Sequence, residues 1–245
     1  MRAGCGRPGP TPCSSGRPPC GTPRSWPGSP SYPERLEQAI NTVKVKVCGI
    51  TRPEDARTAA RHGADAIGLV FAKSPRRVGV ERAREVSAAL HAGVLKVGVF
   101  VDAEPGEVLR VAREAGLDYA QLHGDETPEA VAAVREGGLP VIKALRVRDA
   151  GSLARMDEYE ADLFLLDAWS EKARGGTGER FDWGLAGALG ACDNILISGG
   201  LTPENVREAV RYFEPYGVDA SSSLEATPGE KDGERVRRFL SAAKD

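Results

Sequence analysis

Long apolar runs are missing from this chain: nowhere do 18 apolar residues follow one another, and residues 1–43 hold no apolar core of even seven. A bilayer-crossing helix needs roughly 20 such residues and a secretory leader a run of roughly 7 to 15, so neither is expected and the chain reads as cytoplasmic. Cysteine is scarce, with five in 245 residues. Cys5, Cys13 and Cys20 are spaced unlike CxxC, and Cys48 and Cys192 stand alone, so neither a disulfide framework nor a zinc site is indicated. An excess of one charge sign is also lacking, the net charge being −2. Nothing in that balance suggests a nucleic-acid partner.

Residues 1–43 differ in composition from the rest, holding nine of the 17 prolines and three of the five cysteines. Such a segment is expected to be disordered, and its dense Pro and Gly would break the amphipathic helix of a mitochondrial presequence. Its five arginines against Glu34 and Glu37 give +3, which leaves −5 for Lys44–Asp245. The expected organisation is therefore an extension over residues 1–42, assigned no functional role, and one catalytic domain over 43–245. A start near Val43 would cost that domain nothing.

From Val43 onward the pattern of strand, short loop and amphipathic helix recurs every 20 to 30 residues or so, the mark of parallel βαβ units. Eight strands are expected: Lys44–Cys48, Ala66–Phe71, Leu95–Val101, Tyr119–Leu122, Pro140–Leu145, Leu163–Asp167, Asn194–Ser198 and Gly217–Ala220. Most are unbroken apolar runs, as befits strands covered on both faces. Thr51, Thr127 and Thr202 each precede a Pro-Glu pair and are expected to cap helices, while Gly63, Gly116 and Gly137 are expected to end them. Eight such units over about 200 residues match a small (β/α)8 barrel. An open doubly wound sheet would instead carry Gly-x-Gly-x-x-Gly after its first strand, where this chain has Cys48-Gly49-Ile50-Thr51.

In such a barrel the chemistry sits at the C-terminal ends of the strands. Those tips carry Cys48, Arg76 and Arg77 after the second strand, Asp102, His123, Asp167, Ser198-Gly199-Gly200 and Asp219-Ala220-Ser221-Ser222. Gly199 and Gly200 with Ser221, Ser222 and Ser223 suit a phosphate held on backbone N–H groups and hydroxyls, a reading favoured over a mere tight turn and helix cap because both loops fall on neighbouring strands. Cys48 and Asp167 form the candidate acid–base pair; the alternatives are a small buried hydrophobe and a loop cap. Arg76 could clamp a carboxylate, or be a solvated charge. Ala168–Asp182, with Arg174-Gly175-Gly176-Thr177-Gly178, has the composition of a lid. His123 could touch ligand or support its neighbours.

Taken in order, several segments resemble the phosphoribosylanthranilate isomerase family: Lys46-Val47-Cys48-Gly49-Ile50-Thr51, Ser74-Pro75-Arg76, Val97-Gly98-Val99-Phe100-Val101, Gln121-Leu122-His123-Gly124, Leu166-Asp167, Gly175-Gly176-Thr177-Gly178 with Phe181-Asp182-Trp183, Ser198-Gly199-Gly200-Leu201 and Asp219-Ala220-Ser221-Ser222. The likeness runs from about Lys44 to the C-terminus. It implies Cys48 as general base, Asp167 as general acid, Arg76 as partner of the anthranilate carboxylate, and Gly200, Ser222 and Ser223 in the phosphate site. It further implies an Amadori rearrangement of a small phosphorylated substrate in tryptophan biosynthesis, with no metal or organic cofactor, by a monomer or homodimer. One position departs: the family's usual glycine is Ser223 here, where a side chain could crowd the phosphate or force a strained φ. The alternatives are another phosphosugar isomerase or epimerase, whose epimerase form would bring metal-binding His and Asp to the rim, and a non-catalytic phosphosugar-binding barrel.

Overall fold

The computed structural model describes residues 43–168 and 193–245. Eight parallel strands close into a barrel: β1 (Lys44–Val47), β2 (Ala66–Val70), β3 (Leu95–Phe100), β4 (Tyr119–Leu122), β5 (Val141–Val147), β6 (Leu163–Ala168), β7 (Ile195–Ile197) and β8 (Gly217–Ala220). The expected strand tips shift by a residue or two. Cys48, Phe71 and Ser198 lie just past their strands, whereas β5 runs on to Val147.

Seven helices flank the ring among the described residues: α1 (Pro53–Arg61), α2 (Val80–Ala88), α3 (Pro105–Ala115), α4 (Pro128–Glu136), α5 (Ala150–Ala154), α6 (Val206–Phe213) and α7 (Gly233–Lys244). Thr127 caps α4 as expected, accepting the Ala130 N–H. Thr51 does not cap α1: the cap position is Arg52, and the Thr51 hydroxyl donates to the Gly229 carbonyl across the β1–β8 seam. Thr202 likewise stands too early, since α6 begins at Val206 and Thr202 only shapes the preceding turn through the Glu204 N–H. Gly116 closes α3 in the left-handed region at φ 66°, but after α4 that conformation belongs to Gly138, not Gly137. Residues 169–192, with the expected lid and Cys192, lie outside the described residues, as do residues 1–42.

Side-chain alternation sorts the strands into two layers. Val45 and Val47 of β1, Phe164 and Leu166 of β6, Ile195 and Ile197 of β7, and Val218 and Ala220 of β8 join the large apolar cluster that also takes in helix faces. The opposite parity fills the ring: Ala66, Val97, Tyr119, Ile142, Leu163, Leu165 and Leu196 form a compact apolar plug. Continuing up the same parity from that plug leads to Cys48, Gln121 and His123, Asp167, Ser198, and Asp219. The fold therefore delivers polar groups to the open end of an otherwise apolar interior.

Past β8 the chain makes a short 3-10 turn, Ser222–Leu224, and a two-stranded hairpin, β9 (Glu225–Thr227) with β10 (Glu230–Lys231). This hairpin was not visible in the sequence, being only a few residues long. It inserts Glu225 and Lys231, both buried, beside the cavity mouth.

Candidate active site

A cavity of about 290 Å³ opens at the C-terminal end of the ring. Seven residues expected at the site line it, Cys48, Arg76, Asp167, Gly199, Gly200, Ser222 and Ser223, whereas the rim candidates Arg77 and Asp102 do not. The catalytic candidates enter from β1 and β6, which are separated in the closed ring by β7 and β8. They can therefore address one small molecule from different sides.

Cys48 follows β1 immediately, its N–H held by the Ala220 carbonyl at 2.9 Å. Gly68 on β2 makes room for it, because a Cβ there would sit 2.6 Å from Sγ and 3.0 Å from the Cys48 Cα. Burial pushes the Cys48 thiol above its ordinary value, the ammonium of Lys46 pulls the other way, and the Asp219 carboxylate adds to the rise. Lys46 lies on β1 opposite Asp219 on β8, with Nζ 2.8 Å from Oδ1. Burial would lower Lys46, but Asp219 and Cys48 more than reverse that and hold it as an ammonium.

Asp167 ends the interior face of β6, and its Oδ2 lies 3.2 Å from His123 Nε2. The Gln121 side-chain nitrogen stands 2.8 Å from His123 Nδ1, so Gln121, His123 and Asp167 form one chain of polar contacts. His123 thus supports the carboxyl directly as well as lining the cavity. Asp102, another rim candidate, serves the rim itself by accepting the Asp125 N–H at 2.7 Å.

Arg76 is not a solvated charge. Its Nε and Nη2 make paired bonds of 2.7 and 2.8 Å to the two oxygens of Glu225, and Lys231 Nζ adds 2.9 Å to Oε1. Glu225 and Lys231 are buried and Arg76 partly so, and the guanidinium lines the cavity wall with two of its nitrogens already occupied. Burial pushes Glu225 up, yet Arg76 and Lys231 together hold it below the usual carboxylate range. Arg77, next in sequence, is exposed.

The opposite wall is polar and carries no cation from its own loops. Gly199 and Gly200 adopt φ 81° and 70°, which favour glycine and bring backbone close to a ligand. Ser223 has no positive φ, so the strain expected for a side chain at that position does not arise. Its hydroxyl instead donates to the Leu201 carbonyl and ties the turn after β8 to the loop after β7. Among the described residues no group of three or more His, Cys, Asp or Glu is arranged to hold a metal ion.

The family model for N-(5'-phosphoribosyl)anthranilate isomerase matches residues 45–242. A curated relative of that name from Rubrobacter xylanophilus is 70% identical over 204 residues, covering 82% of this chain and 99% of the relative. The chain belongs to the phosphoribosylanthranilate isomerase family. Among solved structures, the family's enzyme from Thermotoga maritima superposes with a TM-score of 0.76 at 40% identity, covering 82% of this chain and 98% of that one. A further family structure, in complex with reduced 1-(o-carboxyphenylamino)-1-deoxyribulose 5-phosphate, gives 0.73 at 39% identity over the same shares.

Four residues that shape this family member's site escaped the sequence reading as partners: Lys46, Gln121, Glu225 and Lys231. Lys46 and Gln121 sit two residues before a rim residue on the same strand parity, and that parity was the available signal. Glu225 and Lys231 offered none, because their roles depend on the hairpin.

Proposed function

We propose that Asp167 and Cys48 are the acid and base of the family's reaction in this chain, the conversion of N-(5-phosphoribosyl)anthranilate to 1-(2-carboxyphenylamino)-1-deoxyribulose 5-phosphate in tryptophan biosynthesis. Asp167 protonates the ribose ring oxygen, the C1–O bond breaks, and the anilino nitrogen lone pair closes an iminium to C1. Cys48, as thiolate, then takes the proton from C2. The resulting enolamine tautomerises to the 2-ketone, so C2 is oxidised as C1 is reduced and the redox change balances within the substrate. No external electron carrier enters that balance.

The observation that carries this reading is the delivery of one thiol and one carboxyl, from β1 and β6, to a single cavity whose remaining wall is Gly199, Gly200, Ser222 and Ser223. Backbone N–H groups of that wall and the Ser222 hydroxyl suit a phosphate, the Ser223 hydroxyl being given to Leu201, and the free donors of Arg76 suit the anthranilate carboxylate. The family relative solved with a reduced, phosphorylated product analogue supports the substrate class.

We read the chain as a cytoplasmic biosynthetic enzyme acting as a monomer or homodimer. Among the described residues no helix is long and apolar enough to cross a membrane, and the Thermotoga maritima relative is described as dimeric with engineered monomers. Generating the labile substrate in situ from anthranilate and phosphoribosyl pyrophosphate and following loss of its fluorescence tests the activity. Enzyme-dependent loss is expected; binding without turnover would favour a non-catalytic phosphosugar-binding barrel.

A further inference from the structure

We propose that Lys143 and Glu126 are positioning residues for the acid side of the site: together they hold His123 where its imidazole meets Asp167. The inference rests on the reading of Asp167 as the acid. β4 ends at Leu122, so His123 stands just past its strand, tied to β3 by its N–H, 2.9 Å from the Phe100 carbonyl. Lys143 supplies the other side. It pairs with Leu122 across β4 and β5, is 1% exposed and does not line the cavity. Its Nζ reaches the carbonyls of Leu122 at 3.3 Å and Gly124 at 2.9 Å, the two neighbours of His123, and Glu126 Oε2 at 2.7 Å. Burial works against the charge and Glu126 for it, and three oxygen acceptors take up all three N–H groups of an ammonium.

Glu126 gathers the surrounding loops onto the same point. Its Oε1 accepts the N–H of Gly124 at 2.9 Å and that of Asp102 at 3.0 Å, while the Tyr159 hydroxyl, from the turn before β6, donates to the Glu126 carbonyl at 3.2 Å. Asp102 has φ 51°, a left-handed conformation that a non-glycine residue keeps only where its surroundings over-determine it. An ion pair as buried as this one is weak as a stabiliser, since well-packed apolar residues commonly replace such pairs without loss. What an apolar replacement could not do is bond the carbonyls and N–H groups around His123. At the other end of that residue Nε2 lies 3.2 Å from Asp167 Oδ2, a contact that a shift of about an ångström would break, and misplacement on that scale can cost about 10²-fold in rate.

The test is a double-mutant cycle in the full chain, with kcat and KM measured on substrate generated in situ for Lys143→Met, His123→Asn and the two combined, each shown to be folded by circular dichroism. Lys143→Met alone is expected to lower kcat by roughly 10- to 100-fold with KM within about twofold, because the residues assigned to the phosphate and carboxylate lie elsewhere. The combined variant is expected to fall no more than about twofold below His123→Asn, since a residue that acts through His123 then has nothing left to position. Losses that multiply, or a folded Lys143→Met with kcat within about twofold of wild type, overturn the proposal. If Lys143→Met does not fold, Lys143→Met with Glu126→Gln leaves no lone buried charge and enters the same cycle with the same expected result. Normal turnover by Asp167→Ala would sink the acid assignment instead. With three histidines in the chain, the His123 ring signal in NMR still reports on the positioning: it is expected to shift in Lys143→Met while those of His62 and His91 stay, and an unmoved His123 signal overturns the proposal.

Discussion

Replacing Glu225 with Gln should damage both the stability of the protein and its grip on substrate. Glu225 is 6% exposed and answers two cations, Arg76 through paired bonds and Lys231 through a third. An amide keeps the shape but offers one acceptor oxygen and no charge, so the buried Lys231 and the partly buried Arg76 lose their counter-ion. Breaking a buried pair in this one-sided way costs about 3–5 kcal/mol. For a domain of some 200 residues each kcal/mol moves Tm by about 2–4 °C, so a fall of about 6–20 °C is expected by calorimetry or circular dichroism. KM should rise as well, since the pair is what orients Arg76. A pH signature accompanies this. Glu225 is held below its unfolded value of 4.5, so its contribution is fully present above that value and is lost as pH falls through the lower, folded one. The stability gap between wild type and variant in urea should therefore narrow on acidification below about pH 4.5. A Tm within about 2 °C of wild type, less than one kcal/mol would produce, would refute the reasoning.

Ser223→Gly removes the hydroxyl bond to Leu201 that joins the two phosphate-side loops, worth about 1 kcal/mol, so KM should rise by roughly fivefold. A lower KM would mean that the side chain crowds the phosphate. Lys143 on β5 is buried and bonds to Glu126 at 2.7 Å and to the Leu122 and Gly124 carbonyls after β4, so Lys143→Met should cost about 3–5 kcal/mol in urea unfolding; a loss under about 1 kcal/mol would show that these bonds do not hold residues 122–126 in place. Because burial pushes the Cys48 thiol up, kcat/KM should climb with pH between about 6 and about 9 as the thiolate fraction grows. A flat profile over that range would contradict a thiolate base.

The barrel was legible because covered parallel strands are continuous apolar runs, and a polar residue such as Cys48 or Asp167 marks where such a run stops. Helix boundaries were harder to read. Thr51 and Thr202 have the composition of caps, yet tertiary partners at Gly229 and within the turn before α6 claimed their hydroxyls. The internal charges were hidden for a different reason. Lys46 and Asp219 are 173 residues apart and meet only because closure of the ring sets β1 against β8 in one register. Lys46 alone, in the run Val43–Val47, looks like one of two alternating lysines on an exposed strand face. Arg76 was recognisable as a rim cation, but its carboxylate partner sits on a hairpin too short to leave a pattern.

The most direct test of the acid–base assignment is turnover of substrate generated in situ by Cys48→Ala and Asp167→Ala, each shown to be folded by its circular dichroism and Tm. Loss of at least about 10²-fold in kcat is predicted for both, the lower range for a missing general acid or base. Near-wild-type kcat in either folded variant would contradict it.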